Sequence, residues 1–208
     1  MITVVKGEEE LFARTAHLFA SATDVACAAA DLNTFAAAHP PQATPADVHG
    51  KRVRKIYRPP VLLDQAANAR IQHVVSLGAD VRISADEINE TIILDQRVVI
   101  LAGDAVPGPR SYSVLTAEET VQGIVSLFEA AWRGATELAV YDARVAEIRV
   151  LAPRILDMLA SGCKDETAAR SLGLGLRTYR RRVAELMTAL GATSRFQAGV
   201  RAGELGLL

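Results

Sequence analysis

The chain has 208 residues, 50% of them hydrophobic and 23% charged, with a net charge of −1 at pH 7. This composition excludes general disorder, and the length suffices for one large or two small domains with a buried core. The charge is unevenly distributed, because residues 148–208 carry ten Lys and Arg against five Asp and Glu, whereas residues 1–147 carry thirteen against nineteen. A basic C-terminal module therefore follows an acidic N-terminal one.

The sequence shows no sign of export, membrane insertion or metal binding. Residues 8–10 are all Glu where a secretory signal would be basic, and no run of about 18 uncharged apolar residues occurs. Cys27 and Cys163 are far apart, and the four histidines lack a metal-ligand spacing. We expect a cytoplasmic protein with no metal, no cofactor and no membrane contact.

The first half of the chain switches repeatedly between helical and strand patterns. In chain order it predicts a helix over 8–21, a strand over 25–30, a helix over 31–38, a loop over 39–50, a strand over 52–58, a helix from Pro60 or Val61 to Leu77, and strands over 80–84, 90–95, 97–101 and 111–115. The strand, helix and strand over 52–84 form a βαβ unit, and the strands over 90–101 form a hairpin.

Two longer helical patterns come next. The run Thr116–Glu119 predicts a capping box, and the helix behind it, which ends at Gly134, buries Phe128 and Trp132. A second pattern extends from about residue 141 to 161, and Pro153 is expected to kink or restart it.

The last part of the chain predicts two short helices joined by a tight turn. Asp165 is the predicted N-cap of the first helix, and Gly173 ends it because glycine readily adopts the left-handed conformation. The second helix runs over about 176–190, and a final helix spans 194–205. Apolar residues at spacings of three and four give the second helix a core stripe, which comprises Leu176, Tyr179, Val183, Leu186, Met187 and Leu190.

These elements predict an α/β N-terminal domain, with a small mixed sheet and helices, followed by an all-α four-helix domain with a helix-turn-helix. The predicted boundaries are 1–140 for the first domain, 141–147 for a helical linker and 148–208 for the second domain.

The second short helix exposes a basic face, formed by Arg177, Arg180, Arg181, Ala184 and Thr188. Three consecutive arginines alone fit a solvated surface equally well. A helix that carries arginines and follows a short helix also suits the major groove of duplex DNA, where guanidinium groups bond guanine or phosphates.

The region 148–208 closely resembles the DNA-binding domain of LuxR-type (GerE-type) transcriptional regulators. The resemblance rests on residues 155–162 as the first helix and its end, 177–183 as the start of the recognition helix, and 194–198 as the start of the fourth helix. Three positions depart from the family, since Ala152, Gly175 and Arg182 stand where Glu, a capping Ser and His are usual.

This resemblance implies a DNA-binding transcriptional regulator that is not an enzyme. Arg180 and Arg181 are the predicted readers of base edges. The same DNA-binding set includes Lys164 and the predicted phosphate contacts, which are Arg177, Thr178, Arg182 and Arg195. Double-stranded DNA is the expected partner, and RNA polymerase is a further one. We also expect a homodimer, because two recognition helices one DNA turn apart read more sequence than one. Its contact is expected on the two long helices, including Phe128 and Trp132, or on the final helix.

The order of elements in the N-terminal domain is similar to the sensor-type domain of actinobacterial regulators, which has a phospholipase D-like fold. His49-Gly-Lys51 matches half of the phospholipase D signature, but Ile56 stands where the Asp belongs, so no active site is implied. Polar and aromatic residues on neighbouring strands suggest a small-molecule effector site at Arg54, Tyr57, Arg58 and Arg82, although ordinary solvent-facing strand positions explain them too.

Two other classes of protein stay open as alternatives. A sigma-factor-like promoter subunit has a similar four-helix DNA-binding end, but it needs a basic, aromatic-rich region that the acidic first half lacks. An enzyme-derived domain with a regulatory tail would need a nucleophile and base, a metal cluster or a phosphate-binding loop, and the sequence provides no complete set.

Overall fold

The computed structural model describes residues 1–29, 50–86, 89–104 and 108–208. The chain forms two compact units, one comprising Met1–Arg58 and Ala69–Glu137, the other Pro59–Asn68 and Leu138–Leu208. The predicted helix over 31–38 and most of the predicted loop over 39–50 lie outside the described residues. No helix in the described ranges has the length and apolar character that crossing a bilayer requires.

The strands and α-helices up to residue 137 are β1 (Ile2–Lys6), α1 (Glu8–Ser21), β2 (Asp24–Ala29), β3 (Arg52–Tyr57), α2 (Gln65–Ser76), β4 (Asp80–Ile83), β5 (Thr91–Leu94), β6 (Val98–Ala102), β7 (Ser111–Leu115), α3 (Glu118–Gly134) and β8 (Thr136–Glu137). Within the described part of the chain, the strands form one mixed sheet of eight in the first unit, in the order β1-β7-β6-β5-β2-β3-β4-β8. The strands β2, β3 and β4 are parallel, and all other neighbours are antiparallel.

Alternating side chains place one hydrophobic layer on each face of this sheet. On one face, Leu11 of α1 packs with Val5, Ile92 and Tyr112. On the other, α3 packs against inward residues of five strands, and Phe128 and Trp132 stack with ring centroids 6.0 Å apart. The prediction that these two rings form a dimer contact is wrong, because only 4% and 7% of their surfaces are exposed.

Most predicted elements of the first unit are confirmed, including α1, the βαβ unit of β3, α2 and β4, and the β5–β6 hairpin. The predicted start of α2 at Pro60 or Val61 is wrong, because a 3₁₀ helix occupies Pro59–Leu62 and α2 begins at Gln65. The strands β1 and β8 were not predicted from the sequence. The predicted capping box at the start of α3 is wrong: Ala117 is the N-cap residue, and no side chain caps the helix. The backbone of Ala117 is extended, and two acidic residues in the first turn of α3 interact favourably with the positive end of the helix dipole.

The β5–β6 hairpin turns through two residues with positive φ, Asp95 at 49° and Gln96 at 55°. The Oδ1 atom of Asp95 accepts three hydrogen bonds, from the Thr23 backbone N–H and hydroxyl and from the Asp24 backbone N–H. The backbone hydrogen bonds from Asp24 and Thr23 lower the pKa of Asp95. The ionised carboxylate therefore ties the hairpin to the start of β2.

Substituting Asp95→Asn is expected to destabilise the first unit by about 1 kcal/mol at pH 7, since hydrogen bonds to a charged acceptor are stronger than those to an amide. A carboxyl whose pKa is lowered by folding stabilises the protein above its unfolded pKa and loses that contribution as pH falls through the folded pKa. The difference between wild type and variant should therefore shrink below about pH 4. Urea unfolding followed by the emission of Trp132, the only tryptophan, measures this difference in the free energy of unfolding. Asp80→Asn, at an exposed position, is the charge-matched control.

The second unit is helical within the described residues. After a short 3₁₀ helix, Pro59–Leu62, its α-helices beyond residue 137 are α4 (Leu138–Ala160), α5 (Asp165–Ser171), α6 (Leu176–Ala189) and α7 (Arg195–Glu204). The helix α4 includes the predicted linker and continues through Pro153, so of the two predicted outcomes, a kink or a restart, the restart does not occur. The buried side chains of Ile148, Ala152 and Ile155 lie on both sides of the proline, and their packing offsets its missing hydrogen bond.

Candidate nucleic-acid interface

Six of the eleven basic residues of the second unit lie on α5, on α6 or directly before α5. The α5–α6 connection is closed by Gly173, which has φ of 68°. Its N–H donates to the carbonyl of Arg170, and the N–H of Leu174 donates to Ala169. This arrangement satisfies the last carbonyls of α5 and fixes the direction in which α6 starts.

One side of α6 is core and the other faces solvent. Ala168 and Ala169 of α5 are buried, as are Tyr179, Val183 and Leu186 of α6. The small alanines allow the two helices to approach closely. The predicted exposed face is confirmed, since Arg177, Arg180, Arg181, Ala184 and Thr188 are all exposed.

The acidic residue at the start of α5 has a different role from the predicted one. Lys164, and not Asp165, is the N-cap residue, and no side chain caps the helix. The carboxylate of Asp165 instead accepts hydrogen bonds from Arg180 Nε at 2.9 Å and from both terminal nitrogens of Arg195 at 2.6 and 3.1 Å. The hydrogen bonds from Arg195, and then from Arg180, lower the pKa of Asp165 to about 2, so this group stays ionised.

Arg182 is also held within the unit. Its guanidinium pairs with Glu147 of α4 and with Glu185 at 2.8 Å, and its side chain is only 16% exposed. The hydrogen bonds to Glu185 and Glu147 raise the pKa of Arg182. The predicted phosphate contact by this residue would require two ion pairs to break, because a guanidinium so enclosed presents few donors to an outside ligand.

Of the other predicted DNA-binding residues, Lys164, Arg177 and Arg181 are the least engaged in ion pairs. Among the described residues, Lys164 and Arg177 have no ion-pair partner, and both are exposed. Arg181 is exposed and lies 3.7 Å from Glu185, a loose surface pair that contributes little to stability. Thr178 is half-buried at the start of α6. Arg177 and Arg181 belong to the exposed face of α6, Thr178 follows Arg177 in its first turn, and Lys164 precedes α5.

Side chains cap the start of α7, a feature that is absent from the sequence-based predictions. Ser194 accepts a hydrogen bond from the Gln197 N–H, and the Gln197 side chain accepts from the N–H and hydroxyl of Thr193. The run Ser-x-x-Gln at 194–197 is a capping-box signature that could have revealed it. This cap fixes the backbone at Arg195, the partner of Asp165.

The predicted effector residues of the first unit divide between the two faces of the sheet. Arg54 pairs with Glu129 at 2.7 Å, and Arg82 donates to the carbonyl of Trp132 at 2.9 Å. Both guanidiniums lie over the Trp132 ring, 5.6 and 4.6 Å from its centroid. Tyr57 alternates to the opposite face, where burial raises its pKa.

Arg58 of the predicted effector set and the half-match to phospholipase D lie at the two ends of β3. Arg58 lies just after β3 and is partly exposed. From the half-match to phospholipase D, Lys51 donates to the carbonyl of Phe19 at 2.8 Å, while His49 lies outside the described residues. Among those residues no group of three or more His, Cys, Asp and Glu could hold a metal ion.

Comparison with known proteins finds a regulator among the relatives and two related folds. The bialaphos biosynthetic pathway regulatory protein of Streptomyces hygroscopicus is 32% identical over 139 residues, 66% of this chain. Two solved structures each match 66% of the chain with a TM-score of 0.50: TrmBL2, an archaeal chromatin protein with a novel mode of DNA binding, at 14% identity, and Nuc, a phospholipase D family member from Salmonella typhimurium, at 12%.

These matches differ in how much of each relative they include. The chain spans about half of the curated regulator and of the chromatin protein, 54% in both cases, and 98% of Nuc. No protein-family model matches the sequence. The mixed α/β unit therefore has a phospholipase D-like fold, as predicted, and the chain is similar to a regulatory protein.

Proposed function

We propose that the protein is a transcriptional regulator that binds duplex DNA through its helical unit, with α5 and α6 as a helix-turn-helix of the LuxR type. The observation that carries this proposal is the exposed arginine face of α6, which is oriented by a short preceding helix and a glycine turn. A helix of this form enters the major groove with side chains near its N-terminus. The similarity to a regulatory protein supports the proposal.

The DNA-binding residues in and before α6 have two proposed roles, contact with base edges and contact with phosphates. Arg181 lies near the middle of the exposed face and is the strongest candidate for bonding base edges, together with Arg180. Arg177, Thr178 and Lys164 lie at or before the start of α6, where phosphate contacts set the register of the helix on the duplex. Such contacts orient the protein without reading sequence.

The decisive experiment is selection of bound duplexes from a random pool. A regulator should enrich one motif, and a homodimer should enrich an inverted repeat with half-sites about one DNA turn apart. Failure to enrich any sequence, combined with binding no tighter than that of an unrelated acidic protein, would refute the proposal. Binding is then quantified by fluorescence anisotropy at several salt concentrations, because phosphate contacts make affinity depend on salt.

Substituting Arg181→Ala is expected to cost about 1–3 kcal/mol on the selected duplex and to relax preference at one base position. Arg177→Ala should instead weaken binding to all duplexes alike and reduce the salt slope by about one. Arg14→Ala removes the same charge from an exposed site in the first unit and is the matched control. Equal losses on selected and scrambled duplexes for Arg181→Ala would exclude it as a base reader.

We also propose that the full chain is a homodimer with a sensing N-terminal unit. Phe196 and Val200 of α7, 84% and 46% exposed, offer an apolar surface for pairing two copies. The α/β unit would respond to a small-molecule effector or to a partner, and RNA polymerase would be a further partner of the regulator. Arg54 and Arg82 are engaged inside that unit, so an effector there would have to compete with their existing partners.

A further inference from the structure

The carboxylate of Asp165 joins three helices of the second unit. It belongs to α5, and it holds Arg180 of α6 and Arg195 at the start of α7. The Asp165 side chain is 14% exposed, whereas those of Arg180 and Arg195 are 57% and 46% exposed. The acid is thus covered by two guanidiniums whose other edges face solvent.

This geometry leaves both arginines able to bind a second anion. A guanidinium has five N–H donors. Asp165 takes one donor of Arg180 and two of Arg195, so most donors of Arg180 and several of Arg195 remain unused by it. An arginine that is already fixed loses less side-chain entropy when it binds than a freely rotating one does.

We propose that Asp165 is a positioning residue for DNA recognition, which fixes Arg180 and Arg195 in the orientation that contacts one specific duplex. The inference rests on the proposed DNA-binding function and assigns Asp165 a role within it. An acid near DNA weakens binding to every duplex by charge repulsion. At the selected site, the contacts made by the two fixed arginines compensate for this repulsion, and at other sites they do not. Asp165 should therefore favour the selected site over other sites.

The neighbouring Glu166 supplies a matched control. It lies on the same turn of α5, is 58% exposed, and approaches Arg180 only to 3.9 Å. Glu166→Gln removes the same charge from nearly the same place without releasing either arginine. A second variant, Asp165→Glu, keeps the charge but moves the carboxylate by one methylene group.

The test compares the affinity of each variant for the selected duplex and for a scrambled duplex of equal length and composition. Glu166→Gln should strengthen both by a similar small factor. Relative to Glu166→Gln, Asp165→Asn should lose about tenfold in the ratio of selected to scrambled affinity, and Asp165→Glu should lose part of that ratio. If Asp165→Asn matches Glu166→Gln, or strengthens selected binding further, the acid acts only by charge or as a competitor, and the inference is overturned.

A measurement on the unmodified protein tests the inference even if a variant fails to fold. The Nε–Hε signals of Arg180 and Arg195 should show restricted motion by NMR in the free protein, unlike that of Arg177, and should remain restricted in the complex. Motion as free as that of Arg177 would overturn the positioning role. If the wild-type protein selects no duplex at all, the proposed function itself fails, which is a distinguishable outcome.

Discussion

Replacing Arg54 with alanine is expected to destabilise the first unit by about 3–5 kcal/mol, because it removes a buried arginine and leaves Glu129 without its ion-pair partner. The Arg54 side chain is 5% exposed and lies between Glu129 at 2.7 Å and Asp24 at 3.7 Å. Its guanidinium also stacks over Phe128, 5.4 Å from the ring centroid, so alanine would leave a cavity as well.

The same strand offers a control for this prediction. Arg52 also pairs with Asp24, at 3.6 Å, but its side chain is 64% exposed. Arg52→Ala should change the free energy of unfolding by less than about 1 kcal/mol, as exposed pairs usually do. Urea unfolding followed by Trp132 emission reports on this unit directly. A loss below 1 kcal/mol for Arg54→Ala would show that water replaces the guanidinium at no great cost.

Arg54 also illustrates which parts of the fold the sequence could predict. Its strand, the helix after it and the parallel strand that follows were predictable because hydrophobic periodicity is a local signal. The partner Glu129 is 75 residues away on α3, and no local sequence pattern indicates which strand residue a glutamate on that helix will contact. The sequence therefore predicts a solvent-facing or ligand-binding strand position, whereas the structure buries Arg54.

The strands β1 and β8 could not be predicted for the same reason, because each depends on contacts with residues distant in the sequence. Ile2–Lys6 forms β1 only because it pairs with β7 more than 100 residues later, and Thr136–Glu137 forms β8 through two residues opposite β4. Strand formation at such sites depends on non-local pairing and burial more than on intrinsic propensity. The stripe of α6 and its exposed arginines, in contrast, follow from helical spacing alone. What spacing could not reveal is that Asp165 engages Arg180 of that face and that Glu147 engages Arg182, which is largely enclosed.

Tyr179→Ala is expected to destabilise the helical unit by about 3–5 kcal/mol, the range observed for large aromatic side chains cut to alanine in a core. Tyr179 is 1% exposed and lies on the buried side of α6, opposite the arginine face. Because the unit buries few side chains of this size, a cavity there removes a large share of its stability. The helix that carries Arg177, Arg180 and Arg181 would then lose its support, and duplex binding should disappear although every basic residue is still present.

Tyr179→Phe separates packing from the hydroxyl group. It keeps the ring, so it should cost less than about 1.5 kcal/mol and retain binding of the selected duplex. Far-ultraviolet circular dichroism follows loss of the helices, while Trp132 emission reports on the first unit, so the two signals locate the damage. If Tyr179→Ala kept full duplex affinity with undiminished helix content, α6 would not depend on this core. Its arginines would then bind DNA as a flexible basic segment, a mode in which selected and scrambled duplexes compete equally.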